Sequence, residues 1–333
     1  MHNFRYRWCM ILMFGLSLPG APHANAGPIK EHGRHRPEHS LVGQIWDARA
    51  ARFISAQDFY PQIEQADFVL LGETHTNPYH HRLQRRVIDH MVADGRRPAV
   101  VFEMFERDNQ PTIERMRSHY PHDANRIARE THMEDRGWPW RLYKPLVETV
   151  VTYGLPLFGA DMSQSTVRKI VMKGLTAIDA TRINALALNA PLAPRAAATM
   201  RKDIAAAHCG HAPELLIDGM VAAQRARDAS LADGLIKHAD RHGAVLIAGS
   251  GHVRDDFAAP AYLRRRAPHK TILSVGFMDV AGDKRDPASY AASTNETSPA
   301  YDYLWFTQSH QAPDPCKQFE ENLRTLDRMP APR

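Results

Sequence analysis

Short apolar runs alternate with longer amphipathic stretches along this chain. Ala66–Leu71 is nearly continuous in apolar residues and stops at Gly72, the pattern of a strand buried on both faces. From Pro78 to Ala93, apolar residues recur at Leu83, Val87, Ile88 and Met91, which is helical spacing with a proline tolerated in the first turn. Ala99–Phe102 reads as a second buried strand, residues 106–130 as polar helix, and Trp138-Pro139-Trp140 as a turn before a helix ending near Tyr153. Leu155–Ala160, Ala244–Ala248 and Thr271–Val275 supply a third, fourth and fifth strand. Residues 163–242 carry no strand signal; they are Ala-rich, broken by Pro191, Pro194 and Pro213, and end in one long helix over Glu214–Arg241. Alternating strands and helices predict an α/β fold, with a mostly parallel β-sheet covered by helices. The domain is expected over about 43–278, with a long helical insertion or subdomain at about 163–242 and a loop-rich C-terminal tail from 279 to 333.

Composition refines this picture at the chain ends. With 44% hydrophobic and 24% charged residues among 333, the chain can bury a core. The formal charge of +5 includes Arg5 and Arg7, and the densest basic run, Arg264–Arg266, is short. Nucleic-acid binding needs a contiguous basic face, so no such partner is implied. Arg5 and Arg7 precede an apolar run, Cys9–Leu18, too short to span a bilayer, and Ala24-Asn25-Ala26 offers small residues where signal peptidase reads. A secretory signal peptide is therefore expected over 1–26. The mature chain is expected to be periplasmic or otherwise exported, with no transmembrane segment. Cys9 lies before the apolar run, the wrong place for a lipid-anchoring cysteine. Residues 27–42, rich in His, Arg, Gly and Pro, are expected to be disordered; His32, His35 and His39 there suit weak metal binding or a plain polar tail. Cys209 and Cys316 survive processing, and an oxidising compartment allows them to pair, but spacing alone does not decide it.

Ligands of open parallel sheets collect beyond the carboxyl ends of the strands. The first strand runs into Gly72-Glu73-Thr74-His75, the second into Glu103, the third into Asp161, and the fourth into Gly249-Ser250-Gly251-His252. Any one of these side chains alone reads as a helix cap or a surface residue. Together they predict a shared polar site, because such residues are poor choices for a core. His75, Glu73, Glu103 and His252 can hold a divalent metal ion, and Glu73 or Glu103 can act as a general base. Tyr79 and His80, at the start of a helix, reach for the same edge, and Tyr143 is a similar candidate; phenolate and imidazole both ligate iron. No P-loop, GxSxG or zinc pattern is present, and the 249–252 segment lacks the third glycine of a dinucleotide fingerprint.

The segment Leu70-Leu71-Gly72-Glu73-Thr74-His75-Thr76-Asn77-Pro78 with His80-His81 resembles the opening motif of the ChaN-like haem-binding uptake family. Phe102-Glu103-Met104, Trp138–Pro145 with Tyr143, Gln224–Ala229, and Ile247–Arg254 resemble its later motifs, in the same order. The resemblance covers about residues 43–278. It implies a haem-binding protein of bacterial iron acquisition, iron ligation by a tyrosine (Tyr79 and Tyr143 being the candidates) or a histidine, and a homodimer enclosing two haems. Arg82, Arg227 and Arg254 are then candidates to pair with the propionates. The same fold is shared with the wider Tiki and erythromycin-esterase superfamily. That kinship implies an alternative, a metal-dependent hydrolase using Gly72 with His75, Gly249 with His252, and Glu103.

Overall fold

The computed structural model describes residues 39–295, 298–310 and 316–317. The expected signal peptide, His32 and His35 lie outside the described residues. In chain order the elements are β1 (Ile45–Asp47), β2 (Arg52–Ile54), α1 (Ala56–Gln65), β3 (Phe68–Glu73), α2 (Pro78–Ala93), β4 (Ala99–Glu106), α3 (Gln110–His119), α4 (Ala124–Glu130), α5 (Trp140–Thr152), β5 (Leu157–Asp161), α6 (Gln164–Lys173), α7 (Ala180–Ala185), α8 (Pro194–Ala207), α9 (Glu214–His238), β6 (Ala244–Gly249), α10 (Ala259–Arg266), β7 (Ile272–Asp279) and β8 (Tyr303–Thr307). Short 3-10 turns join several of them. Among the described residues no helix is long and apolar enough to cross a membrane.

The strands form a single sheet in the order β2-β1-β8-β7-β3-β6-β4-β5. From β8 to β5 every pairing is parallel, and β1 and β2 close one side antiparallel. Successive side chains of a strand point to opposite faces, and the core divides accordingly. Val69, Leu71, Val100, Phe102, Val245 and Ile247 face α1 to α5, whereas Phe68, Leu70, Val101, Leu246 and Ala248 face α6, α9 and α10. This two-sided burial is why the central strands read as continuous apolar runs. The long helix α9 is nearly all buried from Asp228 to Leu235, because it lies between the sheet and the other helices. Gly234 allows that approach; a Cβ there would sit 2.5 Å from Ala160 Cβ. The helical stretch 163–242 thus supplies one covering layer of the sheet and shares its core.

Three strands depart from the sequence reading. β1 and β2 span three residues each, too short to show a period. β8 lies within the expected loop-rich tail, yet it sits between β7 and β1 with every residue buried. Its aromatic run, Tyr-Leu-Trp-Phe-Thr, is diluted by the polar sequence around it. The sheet therefore does not end near residue 278.

Cys209 and Cys316 form a disulfide, with Cα atoms 5.5 Å apart across a separation of 107 residues. It ties the turn after α8 to the C-terminal segment. A loop of this length is worth about 4–5 kcal/mol in the chain-entropy account. Reduction is expected to lower the urea midpoint clearly in melts run with and without dithiothreitol. Free thiols at both Cys209 and Cys316 in the denatured, unreduced protein would contradict the pairing.

Candidate functional site

Parallel strands deliver their carboxyl ends to one edge, and the polar residues collect there. Glu73 ends β3 opposite Gly249 of β6. β4 slips in register against β5 between Phe102 and Glu106, so Glu103 lies in an irregular stretch of the strand.

Two buried carboxylates organise the edge. Glu73 is 2% exposed; its Oε1 accepts from the Tyr143 hydroxyl and from His75 Nδ1 at 3.0 Å, and its Oε2 lies 3.0 Å from His81 Nδ1. Burial alone would raise its pKa, but His81 and His75 outweigh that and bring it to about 2. Glu103 is equally buried; its Oε1 accepts from Arg227 Nη2 at 2.7 Å and its Oε2 from the Gly249 amide at 2.8 Å. Arg227, on α9, also forks onto Asp161, with Nε–Oδ1 at 2.9 Å and Nη2–Oδ2 at 2.7 Å. Burial opposes its charge, yet Asp161 and Glu103 hold it firmly protonated. His252 completes this half, 3.3 Å from Glu103 Oε1 and 2.6 Å from Asp228 Oδ1. Burial would depress its imidazole, but Glu103 and the bond to Asp228 prevail over Arg227, and the pKa rises to about 10.

These shifts fix a pH dependence. Folded His252 titrates at about 10 against its usual 6.5, so its contribution is full below pH 6.5 and is lost as pH rises through about 10. Asp228, raised mainly by burial to about 6 from 3.8, adds a loss in the same direction within its own window. Glu73 works oppositely: its contribution is present above 4.5 and is lost as pH falls through about 2. Urea melts are therefore expected to show falling stability from neutral to strongly alkaline pH, and the His252→Gln variant is expected to flatten that limb. An unchanged alkaline limb in the variant would refute the assignment.

Above this network lies a cleft of about 340 Å³, walled by Trp138, Met162, Val171, Ile204, Met220 and Ala223, with His75, Gln224 and Arg227 among its polar lining. His75 holds the exposed position: its side chain is 39% exposed, against 6% for His252 and 4% for His81. Because Tyr143 donates to Glu73 and Glu73 accepts from His75, Nδ1 carries the proton of a neutral His75. Its lone pair is then at Nε2. Glu73 and Glu103 raise the His75 pKa, against the opposing effect of burial. Gly249 permits the ring's placement, since a Cβ there would fall 2.8 Å from His75 Cε1.

The structure brings Glu73, His75, Glu103, Tyr143, Asp161, Arg227 and His252 together and sends four other candidates, His80, Tyr79, Arg82 and Arg254, elsewhere. His80 is fully buried; its Nδ1 accepts from the Thr74 amide at 2.8 Å and its Nε2 donates to Thr307 Oγ1 at 2.9 Å, so neither nitrogen is left for iron. Its pKa, lowered by burial to about 4, keeps it neutral. Tyr79 lines a separate groove of about 720 Å³ with Arg82 stacked 4.3 Å from its ring centre. Arg254 forks onto Asp256 at 3.0 and 2.7 Å and does not line the cleft. Tyr143 belongs to the network but is buried, and burial with Glu73 holds its hydroxyl protonated well above the usual range, which does not suit a phenolate ligand.

The metal-ion alternative also fails on donors. Both oxygens of Glu103 are taken by Arg227 and the Gly249 amide, Oε1 of Glu73 is taken by Tyr143 and His75 while its Oε2 lies against His81, and the Arg227 guanidinium stands between Glu103 and Asp161 as their cation. Among the described residues, no group of three or more His, Cys, Asp or Glu is arranged to hold a metal ion. Sequence reasoning named His81 and Asp228 only as members of motifs and gave neither a site role; their contacts with Glu73 and His252 emerge only in the fold. It also missed His208, a cleft residue whose Nδ1 donates to the Ile204 carbonyl at 2.7 Å.

A mostly parallel sheet with a cleft of mixed apolar and polar lining over a buried charged edge is the arrangement of a small-ligand site in an α/β protein. Residues 59–263 match the model of the haem-binding uptake family ChaN of the Tiki superfamily, and the chain belongs to that family. The fold is similar to that of a structure described as cofacial heme binding to ChaN of Campylobacter jejuni, at 21% identity and a TM-score of 0.62, covering 78% of this chain and 95% of that one. Weaker likenesses are a succinoglycan biosynthesis protein (13% identity, TM-score 0.42, 73% of this chain and 74% of that) and an erythromycin esterase mutant in its open conformation (12%, 0.39, 66% and 72%). No curated protein matches the chain.

Proposed function

We propose that this chain is an exported haem-binding protein of bacterial iron acquisition, and that His75 Nε2 ligates the haem iron in the cleft. The observation that carries the reading is the state of His75. Its Nδ1 is held by a buried carboxylate while the ring, partly exposed, lines a cleft that has one apolar wall. A carboxylate hydrogen-bonded to the far nitrogen of the ring fixes the tautomer and strengthens the ligand. Family membership supports haem as the cargo.

The residues fit that cargo. Trp138, Met162, Val171, Ile204 and Met220 offer apolar contact to a porphyrin face. Arg227 keeps Nη1 free of partners among the described residues, and this is the part of it left for a propionate. A cleft of about 340 Å³ is near the small end of the range of about 300–1,000 Å³ for ligand sites, so it covers a porphyrin only in part. A second copy of the chain covering the exposed face, in a homodimer, accords with this. The leader-like N-terminus and the Cys209–Cys316 disulfide both support export.

The test is a haemin titration of the purified mature chain followed by visible absorption. Saturable binding with a shifted Soret band is expected, unaltered in Tyr79→Phe. No saturable shift, or its loss in Tyr79→Phe, would overturn this reading.

A further inference from the structure

Asp233 of α9 is 1% exposed, yet four cations crowd it. Arg107 Nη2, Arg182 Nη2 and Lys237 Nζ lie 2.9, 3.1 and 2.9 Å from Oδ2, and Arg266 Nη2 lies 2.7 Å from Oδ1. Their other bonds do not neutralise them. Among the described residues, Arg107 otherwise reaches the Ser230 hydroxyl, at 3.4 Å, and Arg266 Nη1 is buried without a hydrogen-bond partner. Asp179 caps α7, and Glu114 is solvent-exposed beside His238. Side-chain exposures of 27, 28, 50 and 18% leave the cluster open to solvent. None of these residues lines the haem cleft.

Four positive charges around one buried carboxylate repel one another. A structural ion pair has no use for that excess, whereas a bound anion relieves it. We infer that the Asp233 cluster is a phosphate-binding site. The guanidinium fork matches phosphate oxygens in pairs, and an ammonium adds a point charge. The phosphate has two sources, a free inorganic or monoester phosphate and an anionic lipid headgroup. The inference does not depend on haem binding.

Thermal melts of the full mature chain at matched ionic strength test it. Inorganic phosphate, compared with chloride, is expected to raise Tm by about 5 °C at saturation. The Arg182→Gln/Lys237→Gln pair should abolish that response. Lys237→Glu supplies an internal anion, so it should raise Tm without phosphate and remove the phosphate effect; a mere staple would lose stability instead. Flotation with phosphatidylglycerol vesicles but not phosphatidylcholine, lost in the double variant, assigns the headgroup; a phosphate shift without flotation assigns the free ion. No phosphate-specific shift together with no flotation would overturn the site, as would a destabilised Lys237→Glu that still responds to phosphate like the wild type.

Discussion

Arg227→Met is expected to destabilise the chain by about 3–5 kcal/mol in urea melts. The guanidinium holds Glu103 and Asp161 together beneath the cleft, and its side chain is only 21% exposed. Removing it strands two carboxylates in a poorly solvated edge, with His252 left to compensate Glu103 alone. Arg227→Lys should recover little, because one ammonium cannot span both acids with the geometry of the fork. Adding Asp161→Asn to Arg227→Met should return part of the loss, since one stranded charge is then gone. A change below about 1 kcal/mol in Arg227→Met would mean the edge is better solvated than its burial implies.

The second large effect concerns haem. His75→Ala should weaken haemin binding by at least about 100-fold, or about 2.7 kcal/mol. Glu73→Gln, which keeps the shape but lowers the basicity of His75, should lose about 10–100-fold. The affinity of the wild type should rise with pH through the raised His75 pKa, because the protonated imidazole has no lone pair for iron. A flat pH profile across that window, with His75→Ala binding normally, would move the ligand elsewhere.

Much of this architecture was legible in the chain. β3, β4, β5 and β6 stand out because each opens on a run of apolar residues buried on both faces. Since all four run parallel, the residues after them had to converge, and Glu73, His75, Glu103, Asp161 and His252 do. What the chain could not reveal was which donors were already taken. His75 and His80 look alike in sequence, yet His80 spends both nitrogens on Thr74 and Thr307, and Thr307 lies on β8, more than two hundred residues away. Tyr79 and Tyr143 were equal candidates; one faces a different groove and the other is locked onto Glu73. Arg254 meets Asp256, two residues on, a pairing that spacing permits but does not require. β1 and β2 left no trace because strands of three residues have no room for a period.

The most direct measurement is a cavity rescue. Haemin is titrated into His75→Gly with and without free imidazole, and the iron is followed by its visible and electron paramagnetic resonance spectra. The account predicts weak binding without imidazole and a return of the wild-type spectrum when imidazole fills the vacated space. A His75→Gly complex that already has the wild-type spectrum, with no response to imidazole, would contradict ligation by His75.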